Sequence, residues 1–269
     1  MNTPWILLRG LTRESRHWGE FPAWLEERGG ASVIDLPGNG AYAHIASPLN
    51  VETYVDAVRA ATQRQGAKPP YRVLAMSLGG MVATAWALRY PHEIAQLVLV
   101  NTSMRPYSRA PERLRPSAWG TLLRVARHWG GADRDDAAET LIHRLTCARS
   151  DTLSADLAAW RAIRGSARVS RANALRQLAA AAHYVVRGVP ACSVLIVSSR
   201  ADRLVNPVCS LRLARAWHAP HVEHPGAGHD LPHDDPAWLA AALDSTLDVA
   251  LDSALDSAPP APFAPPGTR

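Results

Sequence analysis

Six short apolar runs punctuate the chain: Trp5 to Leu8, Ser32 to Leu36, Tyr71 to Ala75, Gln96 to Asn101, Ser193 to Ser198 and His221 to His224. Most are continuously apolar rather than alternating, and they are rich in leucine and β-branched residues. Such runs predict strands buried on both faces, as in a parallel sheet covered by helices. Longer stretches with apolar residues at helical spacing lie between them, near His17 to Arg28, Val51 to Gln65, Leu78 to Tyr90, Val208 to Trp217 and Pro236 to Leu247. The alternation of the two patterns defines the class as α/β.

The alternation fails once. From Arg105 to about Arg187 no strand pattern occurs, only Arg- and Ala-rich helical stretches that carry Trp119, Trp129 and Trp160. A helical insertion over residues 104–188 therefore reads as a cap on a core made of residues 1–103 and 189–250. After Ala240 a Leu-Asp pair recurs every four residues, at Leu243, Leu247, Leu251 and Leu255. A spacing of four drifts by about 40° per step around a helix, so this stripe predicts a final helix that frays outward. Residues 251–269 are expected to be a tail, fraying and then, over its proline-rich last part, disordered.

Composition sets limits on these readings. With 269 residues, 47% hydrophobic and 20% charged, the chain has enough apolar surface to build a large core without disulfides or a structural metal. No apolar run approaches the ~20 residues that cross a bilayer, and the first residues lack a secretory pattern, so no membrane partner and a cytoplasmic location are expected. Cys147, Cys192 and Cys209 form no Cys-x-x-Cys pair and are expected to be free thiols. The net charge of +5 is unevenly placed: between Met104 and Gly188 fifteen arginines face seven acidic residues, a local +8 that leaves −3 elsewhere. No nucleic-acid-binding motif accompanies it, so nucleic acid is not an expected partner.

The segment Val73-Leu74-Ala75-Met76-Ser77-Leu78-Gly79-Gly80-Met81 carries a buried strand straight into a helix through small residues. It resembles a nucleophile elbow, in which a serine between small residues takes strained backbone angles and points outward. Ala75 stands where glycine is usual and keeps the position small. A serine hydroxyl needs a base, and the base needs a carboxylate that fixes its tautomer. Asp202 follows the fifth run and lies five residues before Pro207, too far to be read as that helix's cap. His229 ends the glycine-rich turn Pro225-Gly226-Ala227-Gly228 after the last run. His224 and His233 read as structural or solvated. A metal site at His229, Asp230, His233 and Asp234 is disfavoured because Pro232 should disrupt helical alignment of the imidazoles. The backbone amides of Leu11, after Gly10, and Leu78, after Ser77, are the expected oxyanion donors. Arg9-Gly10 stands where many such sequences have His-Gly.

Taken together, these motifs resemble those of α/β-hydrolases over essentially the whole chain before the tail. Asp35-Leu36-Pro37-Gly38-Asn39-Gly40 is similar to the family's D-x-P-G-x-G turn, and Ser77, Asp202 and His229 occur in the family's order. The insertion's position and Asn101-Thr102-Ser103 look most like the methyl ester esterases that act on pimeloyl-acyl-carrier protein. The resemblance implies a mainly parallel sheet of about six strands, with the family's first two strands absent and helices on both faces. It also implies a cofactor-independent serine carboxylesterase for small or medium acyl esters, with acyl-carrier-protein esters within its reach. Met76, Trp119, Trp129 and Trp160 are candidate pocket residues, and Arg113, Arg124 and Arg127 are candidate docking residues for an acidic carrier protein. With Lys68 the only lysine, the arginine excess also fits a compositional bias and a merely solvated helical face. Two other readings stay open: a C–C bond hydrolase using the same three residues, and a binding protein that keeps the pocket without catalysis.

Overall fold

The computed structural model describes residues 3–26, 28–130 and 132–245. Among them the six expected strands form one sheet: β1 (Trp5–Leu8), β2 (Ala31–Ile34), β3 (Tyr71–Met76), β4 (Ile94–Val100), β5 (Ser193–Ser199) and β6 (His221–His224). Their order is β2-β1-β3-β4-β5-β6 and every pairing is parallel. Side chains alternate between two buried faces, which explains the continuously apolar runs. Ile6, Leu8, Val73, Leu97 and Leu99 face α2 (Val51–Arg64), α3 (Leu78–Arg89) and α9 (Val208–Trp217). Trp5, Leu7, Leu74, Val98 and Val100 face α1 (Phe21–Glu26), α10 (Leu231–Asp234) and a helix over residues 236–245.

The strand order places a switch point at the middle of the sheet. After β1 the chain moves to one edge and pairs β2, whereas after β3 it moves the other way to β4. A crevice opens beyond the carboxyl ends of β1 and β3, where loops leave in opposite directions. Gly10 and Ser77 lie at those two ends.

Five helices join β4 to β5: α4 (Ala110–Arg113), α5 (Pro116–His128), α6 (Ala132–Thr146), α7 (Leu153–Ser166) and α8 (Arg171–His183). The segment leaves and returns at one place, since Val186 N–H donates to the Arg105 carbonyl at 2.9 Å. Val125, Trp129, Ala138 and Val169 give it a small core of its own. No helix among the described residues is long and apolar enough to cross a membrane.

Two expectations need correction. The helix expected from His17 to Arg28 is broken: a 3-10 turn over Ser15–Trp18 ends at Gly19, whose φ of 56° only glycine adopts without cost, and α1 starts afresh. Pro232 does not disrupt its helix, because it occupies the first turn of α10, where a missing N–H leaves no bond unmade. In the last helix Leu239 and Leu243 are buried against the sheet. The later Leu-Asp pairs and the expected tail lie outside the described residues.

Candidate active site

Ser77 sits between β3 and α3 with φ 52° and ψ −117°, a sparsely populated conformation for a residue with a side chain. Three features hold it there. Its N–H donates to the Val100 carbonyl at 3.0 Å, and its own carbonyl accepts from Thr102 Oγ1 at 2.9 Å. A Cβ at residue 79 would stand 2.6 Å from the Arg9 carbonyl oxygen and 2.7 Å from that of Leu8. Only glycine lets the helix approach the β1 loop so closely.

That closeness brings the other loop to the serine. A Cβ at residue 10 would lie 3.0 Å from Ser77 Cβ, so the Gly10 backbone abuts the serine directly. Leu78 is the first residue of α3, and its N–H has no carbonyl one turn back to bond. Leu11 and Leu78 line the cavity that Ser77 and His229 also line. The loop is fixed from the insertion, because Gln177 of α8 accepts the Thr12 N–H at 2.8 Å.

The Asp202 carboxylate is divided between two tasks. Oδ1 accepts the N–H groups of Leu204 and Val205 at 2.7 and 2.8 Å, which locks the turn after β5, and Oδ2 lies 2.7 Å from His229 Nδ1. An ionised carboxylate only accepts, so His229 carries its proton on Nδ1 and leaves Nε2 with a lone pair. Among the described residues no hydrogen bond joins the Ser77 hydroxyl to the imidazole. The two groups share one cavity wall, and contacts of this kind tighten when substrate fills the site.

The turn carrying His229 is tied down on all sides. Asn101, at the end of β4 with φ 47°, donates from Nδ2 to the His229 carbonyl at 2.8 Å and accepts the Ser199 N–H at 2.9 Å. Asp234 accepts from the N–H groups of Gly228 and Ala148 at 2.7 and 2.8 Å, joining the histidine turn to the residues after α6. A Cβ at residue 228 would meet the Thr146 carbonyl oxygen at 2.5 Å. His224 accepts the Gly226 and Ala227 N–H groups at Nδ1 and shapes the same turn.

Arg9 and Asp230 form a buried ion pair at 2.6 Å, linking the β1 loop to the residue after His229. Burial opposes charge on the Asp230 carboxyl, but the Arg9 charge and hydrogen bond outweigh it and hold the group below the usual carboxylate range. The four residues considered together for a metal each have a separate partner: His229 has Asp202, Asp230 has Arg9, Asp234 has backbone amides, and His233 Nε2 lies 3.1 Å from Asp156 Oδ2. The roles of Asn101, Arg9 and Asp234 were not legible in sequence order. The only signal was position, each being at a strand end or beside the histidine.

The cavity encloses about 890 Å³ and is walled mostly by apolar side chains, among them Met76, Met81, Trp119, Val125, Trp129 and Leu178. That volume lies within the range of small-molecule sites. Trp160 is not part of it. Its ring packs edge-on against His17 and His233, with the Arg13 guanidinium 4.2 Å above, and so pins α7 to the core. Arg113 also departs from its expected place on a free surface. It is half-buried beside the cavity and donates to the carbonyls of Ala181 and Ala182, and burial lowers its pKa. Arg124 and Arg127 are exposed on α5.

The chain belongs to the alpha/beta hydrolase family, whose model matches residues 5–242. Over 148 residues, 54% of this chain, it is 32% identical to a Neisseria meningitidis serogroup C protein named pimeloyl-[acyl-carrier protein] methyl ester esterase. That match spans about half, 53%, of the relative's length. Among solved structures, an enol-lactonase from Burkholderia xenovorans LB400 superposes with a TM-score of 0.73 at 18% identity, covering 92% of each chain. An esterase from Thermogutta terrifontis gives 0.69 at 22% identity, covering 91% of this chain and 89% of its own. These likenesses are of fold.

Proposed function

We propose that this protein is a serine carboxylesterase that hydrolyses small or medium acyl esters through an acyl-enzyme. One observation carries the reading: a strained Ser77 and a His229 held by Asp202 open on the same apolar cavity. In the proposed reaction Ser77 Oγ attacks the ester carbonyl while His229 Nε2 takes its proton. The Leu11 and Leu78 amides receive the oxyanion, a type of contact worth about 10²–10³ in rate per donor. His229 then protonates the leaving alcohol, and water, activated by the same imidazole, releases the acid. Asp202 stays ionised throughout and steadies the imidazolium. The helices of residues 104–188 act as the cap that keeps the cavity apolar.

The Neisseria relative's name supports an ester attached to an acyl-carrier protein as one substrate class. The insertion's positive charge, exposed at Arg124 and Arg127, supports the same class. Charge reversal at those two positions should then raise KM for a carrier-linked ester and leave a p-nitrophenyl ester unaffected.

The deciding experiment is labelling with a fluorophosphonate followed by peptide mass spectrometry. Modification at Ser77 that disappears in His229→Ala supports the enzyme. An unlabelled wild-type protein would leave a binding protein as the better reading. Labelling without ester turnover, but with cleavage of a vinylogous diketone, would point to C–C hydrolysis.

A further inference from the structure

A second cluster of chemically capable side chains lies outside the proposed triad, where the insertion meets the core. His143 and Cys147 come from one turn of chain at the end of α6, and His233 comes from α10. One ring nitrogen of each histidine and the Cys147 sulfur lie within 4.8 Å of one another. His143 and Cys147 are buried, and His233 reaches the edge of a solvent-facing groove beside Trp18 and Pro232. We propose that these three residues form a binding site for a zinc-class divalent cation that clips the insertion to the segment carrying His229.

Donor chemistry selects the ion. Two imidazoles and a thiolate suit zinc and its first-row neighbours, and are poor ligands for magnesium or calcium. The spacing is compatible: bonds of about 2.0–2.3 Å put tetrahedral ligand atoms about 3.3–3.8 Å apart, so each side chain would move by less than about an ångström. His143 and Cys147 are four residues apart, the separation that places two side chains on one side of a helical turn.

Asp156 completes the arrangement from α7. Its Oδ2 lies 3.0 Å from His143 Nε2 and 3.1 Å from His233 Nε2. An ionised carboxylate accepts from both, so each ring carries its proton on Nε2 and keeps a lone pair on Nδ1. A carboxylate behind a ligating imidazole is the usual outer support of a metal site, because it fixes the tautomer and raises ligand basicity. Burial, and after it the nearby Asp230 and Asp234 charges, raise the pKa of the Cys147 thiol, so it keeps its proton until a cation binds. On binding, Cys147 gives its proton to solvent and coordinates as thiolate, and a water fills the fourth position. The groove at His233 supplies the entry path.

The site does not depend on the esterase reading, and its test is spectroscopic. Chelator-treated full-length protein titrated with Co(II) should bind one equivalent, with a thiolate charge-transfer band in the near ultraviolet and intense tetrahedral visible bands that Zn(II) abolishes. Cys147→Ser should lose the near-ultraviolet band, and His233→Ala should bind about tenfold or more weakly. Cys192→Ser, altering the partly accessible thiol, should retain both signals. Wild-type protein with no thiolate band at millimolar Co(II), or a band that survives Cys147→Ser, would overturn the proposal. The wild-type measurement decides even if a variant fails to fold.

Discussion

The Arg9 guanidinium lies 2.6 Å from the Asp230 carboxylate, with both side chains almost wholly withdrawn from water. The pair joins the loop that would receive the oxyanion to the residue after the candidate base. Where similar sequences place a histidine, this chain uses a longer cation that reaches across the site and also lies 5.0 Å from the Trp18 ring centre. Removing one partner of such a pair strands a buried charge, which costs about 3–5 kcal/mol. Arg9→Leu and Asp230→Leu should each destabilise by about that much, and the double variant by clearly less than the sum. Denaturant unfolding of the four proteins in a cycle checks it; additive losses would show that the pair is not coupled.

Asn101 should matter to rate more than to binding. Its side chain holds the His229 carbonyl and the Ser199 amide but is not part of the cavity wall. Asn101→Ala releases the histidine turn, and a misplacement of about 1 Å costs roughly 10² in rate. The expected outcome is a fall in kcat of about that size on a p-nitrophenyl ester with KM changed by less than about threefold.

His17 gives the protein a sensitivity to mild acid. Burial, followed by the charges of Arg13 and Arg9, lowers its pKa well below the ordinary 6.5. Nδ1 accepts the Glu14 N–H and the Arg13 guanidinium lies 3.1 Å from Nε2, so a second proton would break the Glu14 bond and place a cation beside a cation. As pH falls below 6.5 the unfolded chain takes up a proton that the folded chain refuses. Stability should therefore decline with acidity by up to about 1.4 kcal/mol per pH unit until the folded pKa is reached. His17→Gln should flatten the slope between pH 6.5 and 5 in thermal unfolding.

Cavity length should set acyl preference. Val125 is buried, lines the cavity and belongs to the same apolar cluster as Trp129. Val125→Trp reduces the cavity, and each methylene excluded forfeits about 0.8 kcal/mol of burial, or about fourfold in kcat/KM. A panel of p-nitrophenyl esters of increasing chain length should shift towards shorter chains in the variant.

Gly79 tests the elbow itself. The close approach of the Leu8 and Arg9 carbonyls leaves no room for a methyl group, so Gly79→Ala must push α3 from the β1 loop. A cost of about 1–3 kcal/mol in stability, together with loss of phosphonate labelling at Ser77, is expected.

The central strands β1, β3, β4 and β5 were legible because a sheet buried on both faces writes itself as apolar runs, whereas the edge strands β2, which stops at Ile34, and β6, His-Val-Glu-His, are only partly buried and carry a weaker pattern. Ser77, Asp202 and His229 stood out as candidates because each lies just past a strand end in a turn with its own local pattern. Trp160 and Arg113 were misplaced because their positions depend on how insertion helices pack, and helical periodicity does not specify which neighbour a face meets. Nor does sequence order show Glu139 of α6 accepting from Arg13 at 2.9 Å and from Arg164 at 2.8 Å, a contact between distant segments. The pairing of His143 with His233 was hidden for the same reason: ninety residues separate them, and only the docking of α6 on α10 unites them.

The Asp234 carboxylate, shared between Gly228 and the amides of Ala148 and Arg149, bears on engineering. Transplanting residues 104–188 from a relative would leave that acid facing a foreign backbone and deform the turn that aims His229. The helical segment is therefore not an exchangeable cassette: a chimaera needs a junction that keeps residues 146–149, so that only the portion ahead of them is swapped.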